Sequence, residues 1–139
     1  MDLGYTVARV AEKTPGGVLI FFPSFRTLEQ CYNNWDECGI IPKIEQHKLL
    51  LREPRDPAIY QDTMQRYYKS IFDENANGAV MMGVCRGKIS EGLDFSDNAA
   101  RCVMIVGIPY PMMTDCKVIL KKDFLDKKVR NTALPIEQR

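Results

Sequence analysis

One stretch of the chain, residues 85–97, concentrates side chains that could bind phosphate. Arginine would hold a phosphate through its planar fork, and lysine would hold it as a point charge. Backbone amides would add donors if a helix begins near Ser90, and glycines would permit close approach of the backbone. A carboxylate such as Asp94 would accept a ribose hydroxyl or orient a cation. The residues concerned are Arg86, Gly87, Lys88, Ser90, Glu91, Gly92 and Asp94.

The same stretch also fits a solvated loop with compensating charges, and spacing alone does not decide between the two interpretations. A single short motif matches by chance often enough that both stay open. It is not a Walker A phosphate loop, because the chain contains no G-x-x-x-x-G-K-[ST] pattern.

A second candidate is Ser24, which follows the apolar run 18–22. Its hydroxyl and the free amides of a following helix would grip a backbone phosphate. An ordinary helix N-cap is the commoner use of a serine in this position, so on the residues alone we favour the cap.

Four short apolar runs alternate with helical patterns along the chain, which predicts βαβ units. Continuous apolar runs bounded by turn residues fit strands that are covered on both faces. The predicted strands are residues 18–22, 48–51, 79–84 and 102–108. The predicted helices are residues 2–12, 25–38, 57–72 and 118–125.

This pattern predicts an α/β fold, an open parallel sheet with helices on both faces. In such sheets ligands bind outside the carboxyl ends of the strands, which is where both candidate loops fall. Asp56 and Pro57 predict a helix N-cap and first turn. We interpret Glu53 and Arg55 as local loop charges. Aromatic residues on helical stripes predict core packing rather than base stacking, and these are Trp35, Tyr60, Tyr67 and Tyr68.

Composition limits the classes of function. The 139 residues carry a formal net charge of +1, so the overall charge gives no argument for nucleic acid, and a basic surface would have to be local. No apolar run approaches the length of a transmembrane helix, so we expect no membrane association. The five cysteines lack C-x-x-C spacing and the single histidine, His47, has no metal-spaced partner, so we expect no metal site.

Three segments resemble motifs of the XPD-like iron–sulfur DNA helicases of superfamily 2. Residues 84–97 closely resemble helicase motif V. Residues 17–25, with their FFPS core, resemble the motif IV region, and residues 107–111 resemble the strand-and-proline segment after motif V. The match keeps the order of the family over about residues 3–128, which makes it far more specific than any one motif.

The resemblance implies that residues 1–128 form a RecA-like three-layer domain, the second motor lobe of a nuclear helicase that moves 5′ to 3′. A first lobe would pack against it, with ATP and Mg²⁺ in the cleft between them and single-stranded DNA across both. Motif V carries over residue by residue, with Gly87 as its motif glycine. The nucleotide-facing residues are then Glu91, Gly92 and Asp94. The DNA-facing residues are Ser24, Arg86, Lys88 and Ser90.

The departures from the family pattern also shape the expectation. The chain has no Walker A loop, no DEAH-type box and no set of cluster-binding cysteines, so we expect the iron–sulfur cluster of the family outside this segment. Residues 129–139 lack the Q-x-x-G-R-x-x-R pattern of motif VI, and we expect them to form an unstructured tail. The segment would then hold no catalytic residue and be inactive alone. The alternatives are a non-catalytic protein-interaction module and a nucleotide-binding α/β enzyme of another kind.

Overall fold

The computed structural model of the protein describes residues 3–92, 95–108, 110 and 114–132. The chain divides into two compact units, Met1–Ile108 and Pro109–Arg139. The division falls inside the stretch 1–128 that we predict as one lobe from the sequence. No described helix is long and apolar enough to span a membrane.

The first unit is built on a four-stranded parallel sheet. Its strands are β1 (Val18–Phe22), β2 (Leu49–Arg52), β3 (Ala79–Val84) and β4 (Cys102–Ile105). Their order across the sheet is β2-β3-β1-β4, and all pairings are parallel. β1 and β3 pair in register from Val18 opposite Val80 to Phe22 opposite Val84, so these two central strands end side by side.

Helices flank this sheet. They are α1 (Leu3–Lys13), α2 (Phe25–Glu37), α3 (Ile40–Glu45), α4 (Pro57–Phe72) and the short α5 (Lys88–Gly92), with a 3₁₀ helix at Asp97–Ala100. The second unit contains α6 (Cys116–Thr132). This helix takes in the first residues of the stretch 129–139 that we predict as a tail, and residues 133–139 lie outside the described part.

Alternate side chains of the strands point into two separate cores. Val18, Ile20 and Phe22 pack with residues of α1, α2 and α3 on one face of the sheet. Leu19 packs on the other face with residues of α4 and α5. Because helices lie on both faces of a parallel sheet, the predicted α/β class is confirmed, and the architecture is that of a RecA-like lobe.

One predicted strand differs from the structure, and one helix was missed. The fourth strand ends at Ile105 rather than at residue 108. One of its faces is partly buried and the other is exposed, because Val103 and Ile105 are 52% and 59% exposed. Helix α3 was not predicted, since six residues give too short a helical pattern to detect.

Tyr67 of α4 ties the second core to the 3₁₀ helix. Its side chain is fully buried, and its hydroxyl donates a hydrogen bond of 2.6 Å to the carbonyl oxygen of Ala99. Burial, with a smaller contribution from Tyr68, raises the pKa of Tyr67 far above its ordinary value of 10.0. The folded chain therefore keeps this proton at a pH where the unfolded chain loses it.

The Tyr67→Phe variant tests this contact. At pH 7 we expect it to lower the free energy of unfolding by about 1–2 kcal/mol, because the Ala99 carbonyl loses its donor. Since the folded pKa is raised, the stabilisation by Tyr67 is complete below pH 10 and declines above it. The difference between wild type and variant should therefore shrink by about 1.4 kcal/mol per pH unit above that point. Urea unfolding at pH 7, 9 and 11 measures it, and an unchanged difference at pH 11 would contradict the assignment.

Candidate nucleic-acid interface at the carboxyl edge of the sheet

The two candidate loops follow neighbouring strands and leave the sheet at the same edge. Phe22 and Val84 are paired at the ends of β1 and β3, and the amide of Cys85 donates to the carbonyl of Phe22 at 2.8 Å. Ser24 and the segment 85–92 therefore begin side by side, as the rule for open parallel sheets predicts.

Ser24 is the N-cap of α2. Its backbone is extended, with φ −157° and ψ 160°, and its hydroxyl oxygen accepts the amide of Thr27 at 3.2 Å. The Leu28 amide donates to the Ser24 carbonyl at 3.0 Å, which closes the first helical turn. The cap interpretation is confirmed, and the side chain is exposed. A contact of the same hydroxyl with DNA stays a prediction.

The motif V segment is a tight turn followed by a short helix. The Gly87 amide donates to the Val84 carbonyl at 3.1 Å, and Arg86 adopts a left-handed backbone with φ 64°. A non-glycine residue pays about 1–2 kcal/mol for that conformation, and such strain concentrates at functional sites. Two further bonds of 3.1 Å fix the start of α5, because the Glu91 amide and the Ser90 hydroxyl both donate to the Gly87 carbonyl.

Burial alternates along this segment. Ile89 is 1% exposed and anchors α5 in the second core, whereas its neighbours point to solvent. The exposed residues are Arg86, Lys88, Ser90 and Glu91. The Lys88 ammonium lies 5.4 Å from the centre of the Tyr60 ring, a contact that restrains the lysine. Two cations and a hydroxyl are thus presented at one edge on a fixed backbone.

The nucleotide-facing candidates are only partly described. Glu91 is exposed in α5, and Gly92 is the last residue of that helix. Asp94 lies outside the described residues. In the described part of the chain, no group of three or more histidine, cysteine, aspartate or glutamate side chains could hold a metal ion.

Glu53 is a residue of this edge that we interpreted wrongly from the sequence. It is 5% exposed rather than a solvated loop charge. One carboxylate oxygen accepts the Val84 amide at 2.8 Å and the other accepts the Ile89 amide at 3.3 Å. The sequence does place Glu53 just after a predicted strand, at the carboxyl edge. It does not show that β2 lies beside β3, because the strand order cannot be read from the sequence.

A groove of about 530 Å³ lies beside the edge strand β2, between α2 and α4. The Arg52 guanidinium stacks 3.8 Å from the centre of the Tyr32 ring, and Arg55 forms a 3.3 Å ion pair with Glu29. Three arginines and three carboxylates line the groove, namely Arg52, Arg55, Arg66, Glu29, Glu53 and Asp56. These charges balance, so the groove offers no excess of cations for a phosphate.

Other residues singled out in the sequence have structural positions. Trp35 is 2% exposed within the first core and Tyr67 lies in the second, so the prediction that they are core residues is confirmed. In the second unit, the lysines of α6 from 117 to 128 are exposed along the helix.

Comparison with known proteins places this architecture in a family. Residues 7–138 match the helicase C-terminal domain family. The regulator of telomere elongation helicase 1 homolog of Aedes aegypti is 46% identical over 126 residues, which cover 91% of this chain and 12% of that protein. The homolog of Drosophila melanogaster is 44% identical over 125 residues, which cover 90% of this chain and 12% of that protein.

This chain therefore spans about an eighth of the length of the curated relatives it matches. The Anopheles gambiae homolog, 46% identical over 125 residues, gives the same picture. The resemblance of the chain to the XPD-like helicases is confirmed by these matches. The chain belongs to the helicase C-terminal domain family, as a C-terminal motor lobe of the XPD-like kind.

Proposed function

We propose that this chain acts as the second motor lobe of an ATP-dependent 5′ to 3′ DNA helicase and contacts single-stranded DNA through its motif V turn. The observation that carries the proposal is the exposure of Arg86 and Lys88 on a fixed turn at the carboxyl edge, next to Ser24. Phosphate contacts of this kind hold a strand without reading its sequence, as a moving motor requires. The relatives carry the name regulator of telomere elongation helicase 1 homolog, and we expect this function in the nucleus.

The ATP part of the proposal needs a second lobe. Glu91, Gly92 and Asp94 would face ATP and Mg²⁺ held mainly by a first lobe, and closure of the two lobes on the nucleotide would move the DNA strand. The described residues provide no phosphate-binding loop of their own for ATP. We therefore expect no ATP turnover by the purified chain, and measurable hydrolysis would contradict this division of labour.

DNA binding tests the proposal directly. With Arg86→Ala and Lys88→Ala combined, we expect affinity for a fluorescently labelled oligothymidylate to fall about tenfold or more, because two phosphate contacts are lost. The slope of log affinity against log salt should decrease by about 1.4, at 0.7 per contact with a single strand. Fluorescence anisotropy at several salt concentrations measures both quantities.

The matched control removes the same charge elsewhere. Lys121 and Lys122 are exposed on α6, so the double alanine variant at these positions lowers the net charge equally. We expect it to retain most of the affinity. Equal losses in the two double variants would mean that the chain binds DNA by general charge, and the motif V assignment would then be wrong.

A second candidate function is a non-catalytic protein-interaction module. The observation in its favour is the open face of β4, where Val103 and Ile105 expose apolar side chains. Exposed apolar surface of this kind often marks a contact with another protein. Absence of DNA binding by the wild-type chain at low salt would favour this candidate over the helicase lobe.

A further inference from the structure

The carboxylate of Glu53 is buried and is held by hydrogen bonds rather than by an ion pair among the described residues. It is 5% exposed. An isolated buried carboxylate is unfavourable by several kcal/mol unless hydrogen bonds compensate it. Here each oxygen accepts one backbone amide, from Val84 at 2.8 Å and from Ile89 at 3.3 Å. The two backbone amides that the Glu53 carboxylate accepts therefore indicate its role.

The two amides lie at the two ends of the turn that carries the candidate phosphate ligands. Val84 is the last residue of β3, and Ile89 lies in the first turn of α5. The single side chain of Glu53, one residue after β2, therefore spans the segment that contains Arg86 and Lys88. Hydrogen bonds that backbone amides donate to a charged acceptor are about twice as strong as neutral ones, so these two bonds restrain the segment between them.

Gly87 shows how closely the turn is packed on this carboxylate. A Cβ atom at Gly87 would lie 2.7 Å and 2.9 Å from the two Glu53 oxygens and 2.6 Å from a methyl carbon of Val84. A side chain at Gly87 would overlap both Val84 and Glu53, so the turn is packed closely against the carboxylate.

We propose that Glu53 is a positioning residue of the phosphate-binding turn, which fixes the backbone from Val84 to Ile89 and thereby the placement of Arg86 and Lys88. It acts through the backbone and has no contact with DNA. The effect on DNA rests on the proposed function, whereas the effect on the turn does not.

The Glu53→Gln variant of the whole chain tests this proposal. Glutamine keeps one acceptor oxygen and turns an NH₂ group toward the other amide, so one of the two bonds is lost. We expect affinity for the labelled oligothymidylate to fall about three- to tenfold. The direction of the change in affinity distinguishes a positioning effect from a simple charge effect, because removal of a negative charge would by itself strengthen DNA binding. Equal or tighter binding by the folded variant would overturn the proposal.

A second readout reports on the turn itself. Amide hydrogen exchange followed by ¹⁵N–¹H spectra should show faster exchange at Val84 or Ile89, by about tenfold or more, with shifts confined to residues near the turn. Trp35→Phe, in the core on the opposite face, is the control for a general loss of stability and should change neither the DNA affinity nor these amides. If the wild-type chain does not bind DNA, the proposed function fails. Exchange at the two amides then decides the role of Glu53 alone, and unchanged exchange would refute it.

Discussion

Replacement of Trp35 by alanine is expected to lower the free energy of unfolding by about 3–5 kcal/mol. The indole is 2% exposed, and its ring centre lies 6.3 Å from that of Phe22. Helix α1 packs directly on it, because a Cβ atom at Gly4 would lie 2.8 Å from two indole atoms. Alanine would thus leave a cavity between α1, α2 and the sheet. Urea unfolding measures the loss. It is followed by far-ultraviolet circular dichroism rather than by tryptophan fluorescence, because Trp35 is the only tryptophan of the chain.

Phe72→Ala is the matched control for this substitution. Phe72 is also an aromatic residue on a helix, but its side chain is 68% exposed. We expect it to change stability by less than about 1 kcal/mol. Comparable losses at the two positions would contradict the placement of Trp35 at the centre of the first core.

Gly17→Ala is expected to destabilise the chain by about 3 kcal/mol or more, at the upper end of overpacking effects. A Cβ atom there would lie 2.2 Å from the Ala99 carbonyl oxygen and 2.3 Å from the Tyr67 hydroxyl. Neither neighbour can move freely. The Gly17 amide donates to the Asn98 carbonyl at 2.7 Å, and the Arg101 amide donates to the Gly17 carbonyl at 2.9 Å. The same urea titration measures the effect.

Gly39→Ala separates steric overlap from backbone strain. Gly39 has φ 68°, but a Cβ atom there would meet no atom within 4 Å. Only the left-handed conformation is penalised, at about 1–2 kcal/mol. If Gly17→Ala were no more costly than Gly39→Ala, the close packing of the 3₁₀ helix on Gly17 would be refuted.

The elements that could be predicted from the sequence are those with local signals. The apolar runs predict both the first and the last residues of β1 and β3 correctly. Ser24 and Asp56 mark the starts of α2 and α4 as predicted. These signals depend on side chains within a few positions of each other. That is why the carboxyl edge and its exposed cations could also be anticipated before the fold was known.

The features that escaped prediction depend on contacts between distant residues. The burial of Glu53 follows from the pairing of Arg52 with Met82, which brings β2 beside β3. The exposed face of β4 could not be predicted either. β4 lies at the edge of the sheet, and a short apolar run has a similar sequence whether the strand is covered on both faces or on one. The contribution of Asp94 lies outside the described residues and stays a prediction.

The strand order also dictates when the sheet can assemble during synthesis. The first two strands of the chain are not neighbours, because the third lies between them. A nascent chain that has exposed only β1 and β2 therefore has no native ladder to form, and both strands wait for residues 79–84 to leave the ribosome. Folding then starts with closure of a long loop, which raises the contact order and slows the first productive step. Until then, the apolar strand Val18–Phe22 has no neighbouring strand of the native sheet to pair with.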